Sequence, residues 1–130
     1  MNPEVVGKSY PVQAFRLDAE RVAAFAAAVG HPGEGVPPTI VTAPELAAGL
    51  ANVLGDPDLG LDLAHVVHGE QEYVWGRPPT VGETLTAQAS IESVRAKGAL
   101  TLITLRTEVR DEADRTVAVG RSTLVVRGGS

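Results

Sequence analysis

Apolar positions near the start of the chain recur at helical spacing. Val22, Phe25, Ala26 and Val29 fall on one face of a helix predicted over Ala19–Val29. Asp18 stands where a side-chain oxygen can take the free N–H groups of the first turn, Glu20 lies in that turn, and Gly30, with Pro32 two residues on, supplies the stop. From His31 to Pro38 the pattern disappears, and Pro32-Gly33, Gly35 and Pro37-Pro38 punctuate a loop. The next run, Thr39 to Leu54, is different in kind. Ile40, Val41, Ala43, Leu46, Ala47, Leu50, Ala51, Val53 and Leu54 occupy all sides, which predicts a helix buried nearly all round. Pro44 lies inside it, so the regular helix must start about there or the first turn must be distorted.

After the turn-rich connection Gly55-Asp56-Pro57-Asp58-Leu59-Gly60 the period changes to two. Strands are predicted over Val66 to Trp75, Gly82 to Ala96, Ala99 to Asp111 and Thr116 to Arg127. Alternation is plain in Leu85, Ala87, Ala89 and Ile91 and in Leu100, Leu102 and Thr104. Lys97-Gly98 and the Asp111 to Arg115 stretch provide hairpin turns. A short strand is expected around Val5 to Tyr10. A strand, two helices and a run of antiparallel strands predict an α+β fold with the helices on one sheet face. A long meander twists and curls, and its concave face needs an apolar cylinder to fill it, which is the character of the Thr39 to Leu54 helix. No repeat or low-complexity tract divides the chain. One domain over 1–130 is expected, with an ordered core of about 5–127 and a fraying tail from Arg127 to Ser130.

Composition narrows the function classes. With 130 residues and 44% hydrophobic content, one core forms without staples. Cysteine is absent, which removes disulfides, thiolate zinc sites and cysteine nucleophiles and fits a reducing compartment; a cytoplasmic address is expected. Met1 to Tyr10 lacks the apolar run of a signal peptide and no stretch matches a membrane span, so no membrane partner is expected. Sixteen acidic against eleven basic residues give a net charge of −5, which argues against nucleic acid.

The string Val67-His68-Gly69-Glu70-Gln71-Glu72-Tyr73, followed by Arg77-Pro78-Pro79-Thr80-Val81-Gly82-Glu83-Thr84-Leu85, resembles the H-G-E-Q-E-[FY] strand and R-P-x-x-x-G-[DE]-x-L turn of the MaoC superfamily, specifically its FAS1-like dehydratase N-terminal domains. Val36-Pro37-Pro38-Thr39 resembles the A-P-P-T that opens that family's central helix. Phe25 to Gly30 resembles its first-helix ending, and Thr123 to Arg127 its closing T-L-V-V-R. The resemblance covers roughly 6–127. It implies a single hotdog domain, a long central helix wrapped by a curled antiparallel sheet. It also implies dimerisation and work on acyl thioesters of coenzyme A or acyl carrier protein. No cofactor or metal is expected. The chain is similar to non-catalytic substrate-binding subunits of (3R)-hydroxyacyl-ACP dehydratases, which work beside a catalytic hotdog partner.

One departure matters for function. Catalytic members carry D-x-N-P-[ILV]-H after the first helix, because both the poorly acidic α-proton and the poor hydroxide leaving group need assistance in one geometry. This chain reads Gly30-His31-Pro32-Gly33-Glu34-Gly35-Val36-Pro37-Pro38 there, so Asp and His are both missing and the loop before Pro37 is short. His31 and Glu34 are the substitutes available to an active homodimeric hydratase or thioesterase. The plainer expectation for both is a solvated, mobile loop, in which an unanchored base contributes little.

Pro38, Thr39 and Ile40 open the central helix, where unpaired N–H groups can meet a thioester carbonyl. His68 and Glu70, two apart on a strand, are expected to face one side, where they could orient each other or a bound pantetheine; structural hydrogen bonding, often across a dimer interface, is the plainer expectation. Tyr73 and Trp75 share a face with Gln71 and are expected to pack in the core or a dimer. His65 reads as a loop end, and its spacing to His68 and Glu70 is a weak metal pattern. Asp56, Asp58 and Asp62 read as a solvated connection, since Pro57 and Gly60 break any calcium-loop spacing. The expected role is an acyl-thioester-binding subunit, as homodimer or as heterodimer with a catalytic MaoC-like subunit. A non-enzymatic acyl-binding or assembly module is the remaining alternative.

Overall fold

The computed structural model describes residues 3–33 and 35–127. Five antiparallel strands form one sheet in the order β1-β3-β4-β5-β2. They are β1 Gln13–Arg16, β2 Val66–Trp75, β3 Thr84–Lys97, β4 Leu100–Arg110 and β5 Thr116–Arg127. Strict alternation puts Leu85, Ala87, Ala89 and Ile91 of β3, and Ile103, Leu105, Thr107 and Val109 of β4, on the buried concave side. Bulges interrupt the register between Ile91 and Ser93, between Val109 and Arg110, and between His68 and Glu70. Each adds local twist, which curls the sheet around what it covers.

The covered body is the central helix, and the arrangement is the hotdog fold that the motifs imply. Pro37 and Pro38 start it as a 3-10 turn over Pro38–Val41, after which α2 runs from Thr42–Ala48 and α3 from Leu50–Leu54. Pro44 thus falls in the first turn of regular helix, where its missing N–H has no partner to lose. Gly49 breaks the helix because it lies against the sheet. A Cβ there would meet the Ala89 side chain and Thr107 Oγ1 at 3.5 Å and the Glu45 carbonyl at 3.1 Å. Apolar groups cluster on both sides of this contact, Val53 with Ile91, Ile103 and Leu124, and Ile40 and Val41 with Leu85 and Val109. Truncating Ile40, 1% exposed, to alanine would cost about 2–5 kcal/mol.

Three expectations about the elements and their burial are corrected by the structure. The helix is not buried nearly all round: Leu46 is 40% exposed, and Ala47 and Ala51 are exposed beside it. Its apolar outer face shows that this surface is not covered by the chain's own sheet. Residues 5–10 are not a strand; a 3-10 turn Pro3–Val5 and Gly7 at φ +90° precede a lone bridge of Ser9 to Ser90, and β1 follows Pro11 instead. Asp56 is not a solvated loop residue. It is buried, accepting from Tyr10 OH at 2.7 Å and pairing with Lys8 Nζ at 2.7 Å, which ties the N-terminal segment to the α3–β2 connection.

Helix α1, Ala19–Val29, is as the pattern predicts: Asp18 accepts from the Arg21 N–H at 2.7 Å, and Gly30 closes it in the left-handed region at φ +67°. It packs loosely. Val22 alone is buried, and Val29 is 51% exposed.

Candidate functional site at the seam of helix and edge strand

Strand β2 lies at the sheet edge, paired only with β5, and the central helix crosses beside it. Along the helix the seam is lined by Pro38, Thr42, Glu45 and Leu46, and along β2 by Trp75, Tyr73, Gln71 and His68. At its centre Glu45 is only 3% exposed. Its carboxylate accepts from Tyr73 OH at 3.3 Å, Ser122 Oγ at 3.2 Å and Gln71 Nε2 at 3.3 Å. The sheet makes room for it at Gly120, whose missing Cβ would collide with the Glu45 carboxylate. Burial pushes the Glu45 carboxyl above its ordinary range, opposed by the donors Ser122, Tyr73 and Gln71 and by His68. Burial likewise raises Tyr73, whose hydroxyl also meets Thr42 Oγ1 at 3.1 Å.

Glu45 was not among the residues singled out by motif, yet a signal exists: it is the one charged residue in the apolar run 39–54. A carboxyl there must either disrupt the helix–sheet contact or be surrounded by donors. Gln71, Tyr73 and Ser122 are those donors.

At one end of the seam an apolar groove of ≈ 330 Å3 is lined by Pro38, Trp75, Gly76, Arg77 and Pro78. Pro38 has no N–H and the Ile40 N–H donates to the Pro37 carbonyl at 3.0 Å, so among the described residues Thr39 is the backbone donor remaining at the helix start. At the other end a crevice between Leu46, Leu50, His68 and Leu124 measures ≈ 10 Å3, room for about one water. A larger cavity, ≈ 530 Å3, lies on the outer sheet face, where Arg106 and Arg110 are paired with Glu108. Those paired charges read as a solvated surface network.

His68 and Glu70 do not share a side. The bulge at Gly69 sets His68 opposite Leu124, on the concave face, and Glu70 opposite Thr123, on the outer face. The His68 ring donates through Nε2 to the Glu70 carbonyl at 3.1 Å, and only the backbone links the pair. His65 stands apart with Asp62 at 3.1 Å. Among the described residues no group of three or more His, Asp or Glu converges as a metal site would require. His31 is half-buried just past α1, with its N–H on the Ala26 carbonyl at 2.9 Å, and Glu34 lies outside the described residues.

The Arg77-to-Glu83 motif is a structural clamp. Arg77 donates to both Glu83 oxygens, at 2.6 and 3.0 Å, and to Asp111 at 3.0 Å, while Glu83 also takes the Thr80 N–H at 2.6 Å. These contacts hold both carboxylates below their ordinary range, Glu83 through Arg77 and Asp111 through the Arg115 N–H and Arg77. The clamp fixes the β2–β3 connection that walls the groove.

The sequence model of the FAS1-like dehydratase domain region matches residues 22–119, most of the described fold. The chain belongs to this family. A UPF0336 protein of Streptomyces coelicolor is 33% identical across 98% of the FAS1-like chain and 95% of its own length, and one of Leifsonia xyli is 32% identical across 98% and 97%. Among solved structures, the HadBC (3R)-hydroxyacyl-ACP dehydratase complex of Mycobacterium tuberculosis superposes with a TM-score of 0.75 at 21% identity, covering 93% of this chain and 96% of that one. The (R)-hydratase of A. caviae gives 0.65 at 21% identity, over 92% and 94%. The ChsH1-ChsH2 complex of M. tuberculosis gives 0.66 at 17%, over 95% and 98%. The MaoC-like hotdog fold of the FAS1-like domain is thereby shown. None of its helices among the described residues is long and apolar enough to cross a membrane.

Proposed function

We propose that this domain binds an acyl thioester, of coenzyme A or acyl carrier protein, as the non-catalytic half of a MaoC-like (R)-specific enoyl hydratase or 3-hydroxyacyl dehydratase in the cytoplasm. The observation that carries the reading is the loop after α1. Where the family's catalytic members set an Asp and a His, it offers His31 in a run of glycines and prolines, and no hydrogen bond among the described residues joins that ring to a carboxylate. Adding or removing water needs an acid and a base held in one geometry, and one unanchored imidazole supplies neither reliably. What supports binding is the apolar groove at Pro38, a surface for the acyl chain, and the Thr39 N–H next in sequence, a candidate donor for the thioester carbonyl.

A partner completes the reading. The ten-residue edge β2 carries Val67 at 65%, Val74 at 54% and Trp75 at 40% exposure, and the outer helix face adds Leu46. A ten-residue edge with exposed apolar residues at both ends is a template for pairing with another chain. The likeness to HadBC and ChsH1-ChsH2, both complexes, supports a second hotdog subunit, identical or catalytic, as that partner.

Hydration of crotonyl-CoA, followed by loss of enoyl absorbance, tests the reading with the domain alone and mixed with a hotdog subunit carrying the intact D-x-N-P-x-H motif. Negligible turnover alone, and turnover in the mixture that follows the partner's histidine, is the expected result. Turnover by the domain alone that disappears in His31→Ala would transfer the chemistry to this chain and overturn the proposal.

A further inference from the structure

The groove at Pro38 and the crevice at His68 lie on the same seam, and a continuous polar contact separates them. Thr42 Oγ1 meets Tyr73 OH at 3.1 Å, Tyr73 OH reaches Glu45 Oε1 at 3.3 Å, and Gln71 holds Glu45 Oε2 at 3.3 Å. We propose that this Tyr73–Glu45 latch sets the length of acyl chain that the site buries, so that affinity for an acyl thioester stops growing beyond about six carbons. The proposal rests on the acyl-thioester reading above and names its substrate class.

The physical argument turns on what a methylene meets. Within the groove it replaces water with apolar wall, which strengthens binding about fourfold per buried methylene. At the latch it would separate the Tyr73 hydroxyl from Thr42 and Glu45 and lie against a carboxyl that is 3% exposed. Leaving such buried groups unpaired costs more than one methylene returns. The run from Pro38 to Thr42 rises about 6–8 Å, room for about five carbons in line. Beyond the latch the crevice, ≈ 10 Å3, offers no space for further chain.

The Glu45 half of the latch is removable. Glu45→Ala takes away the carboxyl that lines the crevice and leaves room there for further methylenes, while Ser122 Oγ still donates to Gln71 Oε1 at 2.6 Å and Tyr73 OH still meets Thr42 Oγ1 at 3.1 Å. Calorimetric titration of butyryl-, hexanoyl-, octanoyl- and decanoyl-CoA into the wild type and Glu45→Ala decides the matter. The wild type should gain affinity up to about six carbons and then level off, while Glu45→Ala keeps the short-chain affinities and binds decanoyl-CoA at least about tenfold more tightly than the wild type does. If Glu45→Ala lacks the native circular dichroism spectrum, Tyr73→Phe replaces it with the same expected direction. A wild-type affinity that climbs through decanoyl-CoA, or a levelling-off left unmoved in the folded variant, overturns the latch while leaving the acyl-thioester reading intact. Absence of binding by every chain length in both proteins overturns the reading itself.

Discussion

Glu45 ties stability to pH at the level of a single residue. Its carboxyl is pushed above its ordinary value of 4.5 by burial, so the folded state holds the proton more tightly than the unfolded chain does. The unfolded chain ionises first as pH rises, and the stability belonging to the neutral carboxyl is therefore present below pH 4.5 and lost as pH climbs through the folded value. Each pH unit of elevation is worth about 1.4 kcal/mol. Urea midpoints measured from pH 4.5 to 8 should fall for the wild type and stay flatter for Glu45→Gln, which should be the more stable protein at pH 8. Equal slopes would show that the surrounding donors fully offset burial. Gly120 is the companion position. Gly120→Ala places a methyl in the Glu45 carboxylate and should cost about 1–3 kcal/mol, with much of the loss recovered in the Gly120→Ala/Glu45→Ala double variant. Additive losses in that cycle would place the strain elsewhere.

At the scale of elements, the family motif at Arg77 and Glu83 carries architecture. The fork of one guanidinium on two carboxylates suits arginine and does not suit lysine. Arg77→Lys should lower the melting temperature by several degrees, a loss of about 1 kcal/mol after allowing for its partial exposure, and leave short acyl-CoA affinity within about twofold. A variant of unchanged melting temperature would show that the clamp contributes nothing to stability. The elements themselves were largely legible. Alternation around Leu85 to Ile91 placed β3, and Asp18 with Gly30 bounded α1, because period and capping are local signals. What stayed hidden depended on distant chain. Asp56 is buried by Tyr10, 46 residues away. The Gly69 bulge shifts the face of His68 relative to Glu70 without leaving a trace in spacing. Glu45 reads as an ordinary acid in an alanine-rich helix until the sheet brings Tyr73 and Ser122 to it. The apolar outer face of the helix looked like core, because composition does not distinguish a surface buried by its own chain from one awaiting another.

At the scale of the whole molecule, exposed Val67 and Val74 on an unpaired edge, together with Leu46 on the helix, predict association. Light scattering at micromolar concentration, alone and with a catalytic hotdog subunit, should give a dimer in at least one sample, and Val67→Lys/Val74→Lys should return it to monomer. Monomers in both wild-type samples would remove the partner from the account. The central claim is that this FAS1-like domain holds an acyl thioester without transforming it. One calorimetric titration with crotonyl-CoA, the domain alone in the cell, tests both halves at once. Binding without chemistry produces heats that saturate near one site per domain and return to baseline, with an affinity on the order of 10–100 μM. A sustained heat flow after each injection, the sign of continuing turnover, or no saturable heat at all would contradict the claim.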